Sequence, residues 1–77
     1  MVERTLGHVI HEIRLNHGMT QDQLAKATGV SGRPVVSYWE ADKSKPNPNA
    51  LKRLADLEGI TVVELLSRVD ALLNDTH

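Results

Sequence analysis

Apolar residues in this chain recur at helical spacing but never in long runs. No uninterrupted apolar stretch exceeds two or three residues, and glycine, proline or a hydroxyl residue breaks the pattern at short intervals. Such a chain folds as several short amphipathic helices that bury their faces against one another. Between Thr5 and Asn16, the residues Leu6, Val9, Ile10 and Ile13 form one stripe, and Gly18 stops it. Thr20 with Gln23 three residues on is a capping box that opens a second helix, with Leu24, Ala25 and Ala27 inward and Thr28-Gly29 at its end. Ser31 is a further cap candidate, and Val35, Val36, Tyr38, Trp39 and Ala41 make a third periodic stretch. Proline is tolerated only in the first turn of a helix and biases its predecessor away from helical geometry, so the third helix is predicted to start at Pro34. Asp42 to Asn49 holds two lysines and two prolines and reads as a loop, with Asn49 to cap the next helix. Leu51, Leu54, Ala55 and Leu57 define a fourth helix closed by Gly59, and Thr61 opens a fifth that runs through Val62, Leu65, Leu66, Val69, Leu72 and Leu73. The pair Val35-Val36 and the run from Ile60 to Val63 also suit strands, but neither has a turn-linked alternating partner. The expectation is an all-α fold of five helices.

At 77 residues this is one domain, with a core over about residues 4 to 66 and an extension over 67 to 77. The absence of cysteine excludes a disulfide framework, a thiolate nucleophile and thiolate-ligated zinc, so packing alone must hold the fold. A domain this small buries only about 60% of its unfolded surface, and a second subunit would add to that. No stretch suits a membrane span, and Met1-Val2-Glu3-Arg4 does not resemble a signal peptide, so a cytoplasmic protein is expected. The formal net charge of −1 argues against indiscriminate polyanion binding, but it conceals a dipole. Residues 31 to 53 set Arg33, Lys43, Lys45, Lys52 and Arg53 against Glu40 and Asp42, a net +3. Residues 54 to 77 set Arg68 against Asp56, Glu58, Glu64, Asp70 and Asp75, a net −4. A basic middle joined to an acidic tail suits a protein that turns one side to a polyanion; scattered solvated charge is the simpler alternative.

Two short helices joined by a glycine turn, the second followed by a basic loop, form a helix-turn-helix pattern. The pieces Thr20-Gln21-x-x-Leu24-Ala25-x-x-x-Gly29-Val30-Ser31, Val36-Ser37-x-Trp39-Glu40, Pro46 or Pro48, and Leu51-x-x-Leu54-Ala55-x-x-x-Gly59-Ile60-x-x-x-x-Leu65-Leu66 occur in order. Together they closely resemble the phage repressor and Cro-type, lambda-repressor-like helix-turn-helix family, and Leu6-Gly7, Ile10 and Arg14 fit its first helix. The resemblance implies a compact five-helix fold that binds an operator in double-stranded DNA, usually as a homodimer, in a bacterial or phage-infected cell.

The family pattern implies a phosphate contact by Gln21 at the start of helix 2, where the helix dipole and unpaired N–H groups favour an anion; Thr20, Ser31 and Gly32 belong to the same backbone-contacting set. Arg14 and Glu40 match a structural ion pair between helices 1 and 3. Ile10, Leu24, Val36 and Trp39 match core positions. The chain departs from the pattern by one added residue between Ser31 and Val36, filled by Gly32-Arg33-Pro34-Val35. Gly32 is expected to lengthen the turn and Arg33 to reach guanine O6 and N7 from the helix start, with a phosphate contact as the rival role. Ser37 and Tyr38 face away from Val36 and Trp39 and can approach bases, and Val35 can meet a thymine methyl. Lys43, Ser44, Lys45 and Asn47 match the family's loop that contacts the DNA backbone.

His8, His11 and His17 lack a convergent further ligand, so no metal is expected, and no cofactor or small-molecule substrate either. No paired carboxylates, glycine-rich phosphate loop or nucleophile set points to an enzyme. Val69, Leu72 and Leu73 extend the apolar stripe of helix 5 beyond the family core and suit a symmetric dimer, with packing against helix 1 as the alternative. Two function classes remain: a sequence-specific transcriptional regulator of the Cro or short-repressor kind, and a protein-interaction module on the same scaffold, such as an antitoxin.

Overall fold

Capping residues divide the chain as its sequence punctuation implies. The computed structural model describes residues 4–69, which form α1 (Leu6–Asn16), α2 (Gln21–Thr28), α3 (Arg33–Glu40), α4 (Pro48–Glu58) and α5 (Val62–Ser67). No strand occurs among the described residues. Thr5, Thr20 and Thr61 each place a hydroxyl where it accepts from an amide three residues on. At Thr20 and Thr61 the returning bond from Gln23 or Glu64 completes a capping box. Gly29 and Gly59 end α2 and α4 in the left-handed conformation, with φ of 76° and 66°.

Three boundaries differ from the sequence expectation. Helix α3 begins at Arg33, one residue before Pro34, with Gly32 as an extended N-cap and no capping side chain, so Ser31 does not cap it. Proline is accommodated at the second helical position because the first four amides of a helix have no internal acceptor to lose. The cap of α4 is Asn47, whose Oδ1 accepts from Ala50 N–H at 2.8 Å; Pro48 takes the first helical position, and Asn49 falls inside the first turn. Helix α5 closes at Ser67, where the Arg68 amide turns back to Leu65 O and Leu66 O. The expected continuation through Leu72 and Leu73 lies outside the described residues.

One core joins all five helices. Val9, Ile10 and Ile13 of α1 meet Leu24 and Ala25 of α2, Val36 and Trp39 of α3, Ala50, Leu54 and Ala55 of α4, and Leu65 of α5. Burying each large aliphatic side chain contributes about 1.5 to 3 kcal/mol. Val69 belongs to this core at 5% exposure, so its apolar surface is already covered within the chain. The one buried polar residue among those described, Thr28, donates its hydroxyl to Leu24 O at 2.8 Å. The α2–α3 pair packs most extensively, and α1 and α4 flank it.

Candidate nucleic-acid interface

The α2–α3 turn fixes how two helix starts face solvent. Gly29 and Val30 return their amides to Lys26 O and Ala25 O, and Val30 packs on the core, so the turn is anchored at both ends. An open groove lined by Thr20, Gln21 and Arg33 then brings the start of α3 alongside the start of α2. Arg33 is exposed at the first position of α3. A cation there opposes the helix dipole, and α3 carries no acidic residue in its first turn to compensate. Arg33 therefore gains nothing from the dipole of its own helix, and the acidic side chain in its groove is Asp22 of α2.

The rest of the expected site divides into exposed and engaged groups. Ser37 and Tyr38 are exposed on α3, Tyr38 at 53%, whereas Val35 is half-buried against the core. Ser31 is exposed in the turn and Gly32 is half-buried. Lys43, Ser44 and Lys45 are exposed, and the amides of Lys43 and Ser44 donate to Tyr38 O at 2.9 and 3.4 Å, which folds this loop back onto the end of α3. Asn47 is committed through Oδ1 to capping α4.

Behind these groups sits the expected ion pair. Arg14 Nε donates to Glu40 Oε2 at 2.7 Å and Arg14 Nη1 to Met19 O at 3.0 Å, with the Arg14 and Glu40 side chains only 14% and 9% exposed. Two further groups join it that the sequence reading did not assign there. His11 Nδ1 lies 3.0 Å from Glu40 Oε1 and 3.2 Å from Arg14 Nη2. Gln21 Nε2 donates to the same oxygen at 3.2 Å. Burial pushes the Glu40 carboxyl up, but hydrogen bonds from Arg14, His11 and Gln21 outweigh it and hold the group below its ordinary range. Gln21 is thus tied to the interior network from the start of α2. His11 and Arg14 stand three apart on α1, a spacing that signals a shared face, but nothing local says that Glu40 lies opposite.

Two other clusters were also missed. Asp42 bonds the start of α1, accepting from Gly7 N–H at 2.9 Å and from Thr5 Oγ1 at 2.6 Å. Glu58 accepts from His17 Nε2 at 2.7 Å and from Arg68 Nη1 at 2.6 Å, which ties the ends of α1, α4 and α5 together. Among the described residues no group of three or more metal-binding side chains converges, and no helix is long and apolar enough to cross a membrane.

The helix-turn-helix family profile matches residues 10–65. This chain belongs to that family. Helix-turn-helix proteins of this phage-repressor type are DNA-binding transcriptional regulators. The chain is 38% identical over 58 residues to the HTH-type transcriptional activator BcrR of Enterococcus faecalis, a match covering 75% of this chain and 28% of that protein. It therefore spans little more than a quarter of that relative's length. The helix-turn-helix fold superposes on the solution structure of the DNA-binding domain of the P22 c2 repressor with a TM-score of 0.72 and 29% identity, covering 86% of each chain. A transcriptional regulator from Listeria innocua shares the fold with a TM-score of 0.71 and 23% identity, covering 83% of this chain and 59% of that one.

Proposed function

We propose that this chain binds operator DNA and regulates transcription, with α3 in the major groove. The observation that carries the reading is the shared groove that sets exposed Arg33 beside Thr20 and Gln21 at two adjoining helix starts. In this reading the start of α2 approaches a phosphate, where unpaired amides and the helix dipole favour negative charge. Arg33 reaches guanine O6 and N7, with Ser37 and Tyr38 on neighbouring base edges, while Val35 offers a methyl contact from its exposed part. Ser31, Gly32, Lys43, Ser44 and Lys45 approach the sugar–phosphate backbone and set register without reading sequence. The loop holds Lys43 and Ser44 beside the end of α3, with exposed Lys45 next in sequence, so base reading and backbone contact would adjoin in space. Asn47 contributes to the backbone contact by holding α4 and the loop's end.

The Enterococcus relative is named an activator and the P22 protein a repressor, so this scaffold serves both signs of control. Val63, 77% exposed on α5, adds apolar surface to that expected of Leu72 and Leu73, and we propose that two copies associate through these residues. A dimer presents two copies of α3 about 34 Å apart and calls for inverted half-sites.

The test is binding-site selection from random duplexes, followed by titration of wild type and Arg33→Ala on selected and random DNA. The variant is expected to lose about 1 to 3 kcal/mol on the selected site and little on random DNA. Equal losses on both would assign Arg33 to phosphate alone, and absence of any preferred site would end the regulator reading.

A further inference from the structure

Asp42 follows α3 closely and has φ of 59°, the only non-glycine residue with positive φ among the described residues. Side chains rarely adopt that region, and aspartate does so more readily than most. Its carboxylate reaches to the start of α1, where Oδ1 accepts from Gly7 N–H at 2.9 Å and Oδ2 from the Thr5 hydroxyl at 2.6 Å. The Gly7 amide is one of the first four of α1, which have no acceptor inside the helix. The carboxylate satisfies it and complements the positive end of the helix dipole. Glycine makes the approach possible, since a Cβ at residue 7 would lie 2.7 Å from Asp42 Oδ1 and 2.4 Å from Trp39 O.

The same backbone turn sends the chain back over the end of α3, where Lys43 and Ser44 donate to Tyr38 O. Asp42 therefore joins a fixed point on α1 to the first residue of the exposed basic loop. We propose that Asp42 is a positioning residue, a latch that holds Lys43 and Lys45 ready for the DNA backbone. This rests on the DNA-binding reading above. A loop ordered before binding does not lose its conformational freedom at the moment of binding, so the latch strengthens phosphate contact without touching DNA. The sign separates this role from simple charge. Asp42 is an anion beside two lysines, and on electrostatics alone its removal strengthens binding to a polyanion; loss of a latch weakens it.

The experiment compares wild type, Asp42→Gly and Asp42→Asn by fluorescence anisotropy on a labelled random-sequence duplex across a salt series. Glycine keeps the left-handed turn and deletes the carboxylate; asparagine keeps an acceptor for Gly7 and removes the charge. Asp42→Gly is expected to bind on the order of tenfold more weakly, with the slope of log K against log salt reduced by about 0.9 to 1.8 as one or two lysine contacts are lost. Asp42→Asn is expected to keep the wild-type slope. An Asp42→Gly protein that binds as tightly as wild type or tighter, with an unchanged slope, overturns the proposal. Hydrogen exchange at the Gly7 amide of the free protein reads the latch separately: protection lost in the glycine variant and kept in the asparagine variant supports it, and equal protection in all three overturns it. Failure of the wild type to bind any duplex at low salt removes the DNA reading instead, and with it the loop's purpose, while exchange at Gly7 still reports on the latch.

Discussion

At residue 7 there is room for a hydrogen and nothing more, because Trp39 O stands 2.4 Å from where a Cβ would be. A backbone oxygen at the end of a packed helix cannot move aside alone, so the substitution must push α1 away from α3. Gly7→Ala is expected to destabilise the domain by about 1 to 3 kcal/mol, the usual cost of overpacking, and calorimetry would show it as a lower Tm. An unchanged Tm would mean that the two helices do not approach so closely. The Arg14–Glu40 pair was expected from family resemblance and is present, but its extension to His11 and Gln21 was not legible. The local sequence shows which side chains share a face of α1; only the docking of α1 on α3 shows which carboxylate that face meets.

Among elements, the helices themselves were largely readable, because each has a periodic stripe and all but α3 have a capping side chain. The errors lie at ends where two residues compete for one role. Asn47 and Asn49 are both capping residues near a proline, and Asn47 wins because Pro48 then takes the first helical position, where its missing amide costs nothing. This changes what Asn47 is expected to do. Asn47→Ala should lower stability by about 1 kcal/mol through loss of the cap. In a domain of this size that corresponds to a Tm drop of roughly 4 to 8 °C. The salt slope of DNA binding should stay at the wild-type value, and a slope lowered by about one would restore a direct phosphate contact. The start of α3 is a similar case: the bias of a residue before proline away from helix is weak, and the extended Gly32 with the amide of Val35 bonded to its carbonyl settles Arg33 into the first turn.

Over the whole molecule, ion pairs link elements distant in sequence, and their carboxylates set the response to acid. The hydrogen bonds of Arg68 and His17 hold Glu58 below its ordinary range, and Glu40 is lowered despite burial by Arg14, His11 and Gln21. A carboxylate with a depressed folded value contributes stability that is fully present above its unfolded pKa, about 4.3, and is lost as pH falls through the lower folded value. Tm is therefore expected to hold steady from neutral pH to about 5 in respect of these groups, then to fall below about 4.3. Glu40→Gln should start from a lower Tm and fall less steeply; a wild-type Tm that is flat down to about pH 3 would remove the ion pairs as a source of stability.

Local sequence already specifies a set of short helices, where most of them start and stop, which apolar residues go inward, and the basic segment after the third helix. Those features depend on spacing along the chain and on caps that act within one turn, so neighbouring residues suffice to specify them. Only the packing of the helices settled that Gln21 is tied to Glu40, that Asp42 bonds the start of a helix thirty-odd residues earlier, and that Val69 joins the chain's own core. Each of these joins elements remote in sequence, and a side chain's partner across such a gap is fixed only when the helices have packed.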